Sequence, residues 1–449
     1  MKKFLIAAIV AFAIVVTALP ISMGLVAQGY FASASDNLRA RLPKQYEQIF
    51  GTLPVDLKLK SYEGGLFGAK ALLEVVVGDN SSNALLIVES DVSYGWHFTK
   101  AFPYLHLVKA HTIVRLSKEL RSAIPIPIFD EGKILEGDIY FTPKIAGSGV
   151  LATPAVSIGD ILDAKPIIIS YNYAIGENNS HIAIDWSSFS VVKESTQESG
   201  ILEGVRLAID GNVLDINDNA KLEFAIKKMS VADIMKLENL NIKSVQTIKG
   251  GAYNGLNEFS FDLFEANNTR KYTYYKIGKS FFSIASSNFD HKSLLKLRDL
   301  ALSDDKNYWL DDKEKVSKEI LPLLAKCAQN ASITVKSTVR LGDKSWNLDA
   351  TASLNPEVPF PDFTDIDAID PKDLIKKAIV DLDWSAHEEI VKFFGSESNL
   401  NFDDLERLIG EGYFKRENGV ISAKVHIENG VITINGKTPA ELENWMDSI

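Results

Sequence analysis

From Val55 onward the chain alternates. Val55, Leu57 and Leu59 are apolar, and Asp56, Lys58 and Lys60 between them are charged. A period of two marks a strand with one face buried and the other wet. Two glycines, Gly64 and Gly65, make a turn, and further strands are expected at 66–77 and 84–92. The pattern returns at 134–141, 167–174, 181–186, 204–209, 222–226, 257–264 and 272–284. Clusters of Gly, Asn, Asp and Ser separate these runs, as at 78–82, 176–179 and 215–219. So many strands with polar turns between them predict a large antiparallel sheet, in a sandwich or a curved, elongated open groove.

Before the strands, Lys2 and Lys3 precede an uncharged stretch from Phe4 to Ser35 rich in Ile, Val, Ala and Leu. About 20 apolar residues suffice for a helix to cross ~30 Å of hydrocarbon. Lysines before the run and none soon after it set the amino end in the cytoplasm and the body outside. The expectation is a single-pass membrane anchor over 1–31, with Tyr30 and Phe31 at the headgroup level. The alternative is a cleaved signal peptide and a free exported body. Signal-peptide apolar cores run to about 15 residues and end at small residues; Val16-Thr17-Ala18 would leave an apolar new terminus at 19–27, and Ala32-Ser33-Ala34 would need a longer core than signal peptides use. Length favours the anchor. One amphipathic segment, 35–50, links the anchor to the strands.

The carboxyl third changes character. Helices are expected at 293–302 and 311–328, then strands at 333–341 and 344–354. A proline- and aspartate-rich linker covers 355–373. Beyond it come a helix at 371–379, a strand at 380–384, helices at 387–394 and 402–411, and strands at 420–427 and 431–434 around Asn429 and Gly430. Asn-Gly between alternating apolar runs is a strong hairpin signal. Thr438, Pro439 and Glu441 form a capping box for a last helix at 439–446. The fold class is therefore mainly β with α additions, and composition divides the chain into 1–31, 32–290 and 291–449.

Charge narrows the partners. There are 48 basic and 59 acidic residues; without Lys2 and Lys3 the remainder carries a formal −13. Nucleic acid and anionic lipid surfaces want basic patches, so neither is an expected partner of the body. Cys327 is the sole cysteine, which rules out an internal disulfide. Its apolar surroundings, Leu321 to Ala325, predict a buried thiol.

Three stretches carry a family likeness: Ser61-Tyr62-Glu63-Gly64-Gly65-Leu66-Phe67 at the entry of a long strand; Ile379-Val380-Asp381-Leu382-Asp383-Trp384 before a helix; and Gly419 to Thr438 with its Asn429-Gly430 turn. In these the chain resembles the YdgA-like proteins of Gram-negative bacteria, which are anchored in the inner membrane and face the periplasm. Glu63 stands where that family usually has Arg, and Gly95-Trp96-His97 replaces its His-Gly-Pro. The resemblance implies a tethered periplasmic body and transfers no catalytic residue.

Four groups of residues invite a chemical reading. Gly278-Lys279-Ser280 is similar to the end of a phosphate-binding loop, but Thr273 occupies the position of its first glycine, so that reading fails. Asp365, Asp367, Asp370 and Asp373 lack the glycine and closing Glu of a calcium loop and read as a solvated linker. His97, His106 and His111 lack the close paired spacing of zinc ligands. Asp383, His387 and Glu388 would make an acid–base pair at a strand-to-helix turn; a helix-start role for Asp383 is the simpler reading. No Gly-x-Ser-x-Gly elbow exposes a serine. No catalytic, cofactor-binding or metal residue is assigned, and no cofactor is expected. Two functions fit: a non-enzymatic binding or assembly protein of the envelope, and a carrier of lipid or another apolar ligand between its membranes. Expected partners are the inner membrane, through the amino-terminal helix, and an envelope protein or a lipid. Self-association stays open.

Overall fold

The computed structural model describes residues 55–438, except 66–67, 78–83, 98–105, 124–131, 142–145, 175–179, 194–197, 212–218, 233, 269–272, 302–315, 362–369 and 393–401. The expected anchor, the segment 35–50 and the last helix all lie outside these residues. The described chain is mainly β, with antiparallel strands and few short helices. It divides into two units, Met1–Leu214 and Asp215–Ile449. The compositional boundary at 290 falls at the start of the helix His291–Ala301 in the second unit.

Unit 1 is a meander. Strands β1 (Val55–Gly64), β2 (Gly68–Val77), β3 (Ala84–His97), β4 (His106–Leu116), β5 (Lys133–Phe141) and β6 (Ala146–Ala152) pair in succession. A six-residue helix, α1 (Lys118–Ala123), sits between β4 and β5. A small hairpin, β7 (Val156–Ile158) and β8 (Leu162–Ala164), follows β6. The sheet resumes with β9 (Ile167–Ala174), β10 (His181–Lys193) and β11 (Glu198–Asp210). One edge of β10 is shared: its first half pairs with β9 and its second half with β8.

Directly opposed residues point to the same face, so the register sorts the side chains. On one face Leu59, Leu73, Val88 and Val114 form one row across the strands, and Ala69, Val92, Ala110 and Ile139 another. The core of unit 1 lies here, with Leu73, Val92, Val108 and Ala110 all below 9% exposure. Burying one Leu or Val side chain stabilises by about 1.5–3 kcal/mol. Polar groups on this face are paired. The Ser90 and Thr112 hydroxyls lie 3.0 Å apart, and the Tyr62 and Tyr94 hydroxyls bond each other. Burial, together with that bond, pushes the Tyr94 phenol well above its usual range. Gly137, opposite Thr112, has to be glycine: an added Cβ would lie 2.0 Å from the Val150 carbonyl oxygen.

Unit 2 repeats the scheme. Its strands are β12 (Ala220–Val231), β13 (Met235–Lys249), β14 (Ala252–Phe261), β15 (Leu263–Asn268), β16 (Thr273–Ile277), β17 (Ser280–Asp290), β18 (Ser332–Leu341), β19 (Lys344–Leu354), β20 (Ala378–His387), β21 (Lys415–Glu417), β22 (Val420–Glu428) and β23 (Val431–Ile434). The main order is β12-β13-β14-β17-β18-β19-β20-β22-β23. Helices α2 (His291–Ala301) and α3 (Leu321–Ala328), the latter entered through a π-turn at Val316–Ile320, pack together beside β17. Cys327 is buried in α3, as its surroundings predict, and burial raises its thiol pKa.

Several sequence readings need correction. The expected strand 272–284 is two strands, β16 and β17, split by Gly278, whose N–H donates to the Arg340 carbonyl at 2.8 Å. Helix α4 (Pro371–Lys377) ends two residues early because β20 starts at Ala378 to pair with β19. That strand runs to His387, so Asp383 stands in mid-strand and not at a helix start. The hairpin signal holds: Asn429 and Gly430 take φ of 53° and 80°, as a two-residue turn of this hand requires. Behind the turn, Lys377 is buried and donates to the Asn355 carbonyl at 2.5 Å and to the Val358 carbonyl, while Asn355 reaches Asn429 at 2.9 Å.

Candidate functional site

The two faces of the unit 2 sheet differ sharply. One face carries the row Phe224, Ile242, Phe259, Phe282, Ser337, Leu348, Trp384, Ala423, each opposed to the next across eight strands. Two residues along, Ile284, Val335, Ala350, Leu382, Val425 and Ile434 form a parallel row. Alternation of this kind normally lies against a core. At one end it does. Ala386, Ile421 and Ala423 are at most 3% exposed, and Phe414, just past α5 (Phe402–Glu411), sets its ring edge-on to Trp384 at 5.8 Å. At the other end Ile226 and Leu240 are buried.

Between those ends the face is open. Phe259 and Phe282 are each 39% exposed, Ile284 36% and Ile333 42%. Phe259 meets Phe261 edge-on at 5.8 Å, which fixes the ring rather than leaving it loose. Single exposed apolar residues are ordinary; four on adjacent strands of one face form a patch of the kind that marks a binding surface.

The opposite faces are polar and carry cross-strand pairs. In unit 1, His111 lies between two carboxylates, with Nδ1 3.0 Å from Asp138 and Nε2 3.2 Å from Glu136. Lys109 donates to Asp138 at 2.9 Å and the Tyr140 hydroxyl to the same carboxylate at 3.2 Å. Burial would raise the Asp138 pKa, but the hydrogen bonds from Lys109 and His111 outweigh it and hold the carboxyl below its usual range. Lys133, 2.6 Å away, lowers Glu136 in the same way. His181 pairs with Asp210 at 2.5 Å. In unit 2, His426 meets Asp381 at 2.7 Å, and that bond raises its imidazole pKa. All three His–Asp pairs join directly opposed residues on neighbouring strands. They are cross-strand ladder contacts, which stabilise a wet sheet face.

Of the residues singled out from sequence, Ser280 bonds the Gly278 carbonyl at 3.0 Å within a strand connection. Asp370 caps α4 through the Lys372 N–H at 2.8 Å, and Asp373 pairs with Lys376; Asp365 and Asp367 lie outside the described residues. His97 and His106 are opposed on β3 and β4, with His111 apart from both in the Asp91–Asp138 row. Asp383 pairs with Lys424 at 2.8 Å and Glu388 with Arg416 at 2.7 Å, so the structure does not join Asp383, His387 and Glu388 in one site. Among the described residues no three His, Cys, Asp or Glu side chains converge as metal ligands would. No helix among them is long and apolar enough to cross a membrane. Sequence reasoning left a sandwich and an open groove as alternatives because alternation reports which residues share a face, not whether anything covers it.

A family model described as bacterial protein of unknown function (DUF945) matches residues 170–440, more than half of the chain. The match takes in the open face whole, along with two of the three stretches of the YdgA-like resemblance. No curated protein and no solved structure matches the chain.

Proposed function

The chain belongs to DUF945, a family of bacterial proteins of unknown function, and from that premise we propose a tethered binding protein of the Gram-negative envelope. The finer likeness to the YdgA-like proteins, the uncharged run after Lys2 and Lys3, and the acidic body support the address: inner-membrane anchor, bulk in the periplasm. The observation that carries the binding role is the open stretch of the unit 2 face at Phe259, Phe282, Ile284 and Ile333. Leaving such side chains in water forgoes about 25 cal/mol for every Å² of apolar surface. A partner that covers them recovers that energy and needs no catalytic group.

A second reading, a carrier of lipid, draws on one feature. The open residues step diagonally over three neighbouring strands, from Phe259 and Phe282 through Ile284 to Ile333, a narrow track that suits an acyl chain better than a broad protein surface. Both readings use one test. Full-length protein and its Phe282→Glu variant are purified in nanodiscs, and native mass spectrometry reads what each retains. The binding role predicts a retained lipid or protein that Phe282→Glu loses at least tenfold. Equal retention by both, or none by either, contradicts it. The mass of the adduct separates lipid from protein.

A further inference from the structure

The polar face of unit 2 is not a uniform wet surface. At β12 to β14 it is an ordinary charge ladder: Glu223, Lys243 and Glu258 are opposed in one row, and Lys243 meets Glu258 at 3.3 Å. From β17 to β22 it changes. There the face dips into a trough of about 820 Å³. A central row runs Lys336, Asp349, Asp383, Lys424 across four neighbouring strands. On one side of it a neutral row runs Phe281, Thr338, Asn347, Ser385. The volume falls in the range of built ligand sites.

Three features of this trough point to one ligand chemistry. Asp349 and Asp383 are directly opposed, an arrangement that costs stability on an antiparallel ladder. Each pairs with a lysine on the strand beyond it, Lys336 at 3.0 Å and Lys424 at 2.8 Å, and a carboxylate, with about four acceptor positions, keeps capacity for further donors. Second, the neutral row offers hydroxyls and an amide where a plain solvated face has Lys and Glu. Asn347 makes only long bonds, accepting from Thr338 at 3.2 Å and donating to Ser345 at 3.3 Å and Ser385 at 3.5 Å, and exchanges those contacts cheaply. Third, an aromatic ring, Phe281, stands 37% exposed at the end of this polar row.

We propose that the trough binds an extended, uncharged sugar chain lying across the strands. Carboxylates and an amide accept from and donate to vicinal hydroxyls, and charge-assisted bonds of that kind are the stronger ones. The aromatic face of Phe281 matches the C–H face of a pyranose. Strands lie about 4.8 Å apart, close to the advance per residue of a β-linked glycan, so successive sugars meet successive strands. Across the trough Asp349, Asp381 and Asp383 face Lys336, Lys424 and His426, so acidic and basic side chains are matched in number and no single sign of charge selects an ionic polymer. This site is on the face opposite Phe282 and does not depend on the apolar reading above.

The test is calorimetric titration of the full-length protein in nanodiscs with chitohexaose, which is β-linked and extended, and with maltohexaose, which is α-linked and coiled. The expected result is saturable binding of chitohexaose at least tenfold tighter than maltohexaose. Phe281→Ala and Asn347→Ala should each weaken it at least fivefold with the fold intact by circular dichroism, and Phe282→Glu should leave it unchanged. Absence of saturable chitohexaose binding overturns the proposal. So does equal binding of the two glycans, or binding that survives both Phe281→Ala and Asn347→Ala.

Discussion

The apolar faces of the two units are built from the same pattern and end in different environments. In unit 1, Leu73 and Val92 sit at 3% and 5% exposure amid a cluster that also takes in Tyr62 and Tyr94. In unit 2, Phe259 and Phe282 occupy the equivalent mid-sheet ground and stay 39% exposed. Small residues account for part of the contrast. Ala69, Ala71 and Ala110 are buried with Leu73, Val92 and Tyr94 in the unit 1 cluster, whereas in unit 2 the small residues opposite Phe282 and Ile333 are Ser337 and Ser286, which supply no apolar cover. An apolar face closed by its own side chains is a core; one left open is a surface for something else.

Substitution should separate the two faces strongly. Leu73→Ala is expected to destabilise unit 1 by about 2–5 kcal/mol, the cost of a cavity in a closed core. Phe282→Ala should cost less, about 1–2 kcal/mol, because its ring is only partly covered. Hydrogen exchange over β1–β4 and over β14–β18 reads each effect locally. Similar costs at both sites would erase the contrast. Gly137→Ala is the next largest. Its Cβ would collide with the Val150 carbonyl, so β5 and β6 must part, at about 1–3 kcal/mol, read as faster exchange at β6. Unchanged exchange there would mean that the two strands pack less closely than a 2.0 Å approach implies.

A smaller effect marks the polar face of unit 2. Asp381 bonds His426 and raises its pKa, with Glu428 on the same strand reinforcing the shift; Thr351 on β19 and Thr433 on β23 complete its row. Because the folded pKa lies above the ordinary value of 6.5, the contribution is fully present below that pH and fades as pH rises through the folded value. A proton NMR titration should place the His426 midpoint above 6.5, and Asp381→Asn should lower it. A midpoint unmoved by Asp381→Asn would assign the shift elsewhere. Smallest of all, Asp383→Asn should alter stability by no more than about 0.5 kcal/mol, since relief of Asp349 offsets the lost Lys424 pair. A larger loss in denaturant unfolding would mean that the Lys424 pair outweighs the repulsion.

Much of this architecture was legible in the residues, because a single wet face imposes a period of two. The strands at 167–174, 344–354 and 431–434 coincide with β9, β19 and β23. Strand β13 escaped for a physical reason. Asn239 takes φ of 53° between Leu237 and Leu240, where the strand switches partner from β15 to β14, and the alternation loses phase there. Strand β6 escaped because Gly147, Ser148 and Gly149 give it little apolar signal. The open patch and the glycan trough rest on opposed residues that lie far apart in sequence, and register of that range is set by the whole sheet rather than by any local motif.

The most direct test of the uncovered face uses living cells. A photoreactive benzoylphenylalanine at position 282 of the full-length protein, and in a second variant at position 223 on the polar face, would report what lies against each. The account predicts one defined adduct at 282, a lipid or a protein, and none of comparable yield at 223. No adduct at 282 above that of 223 would contradict it.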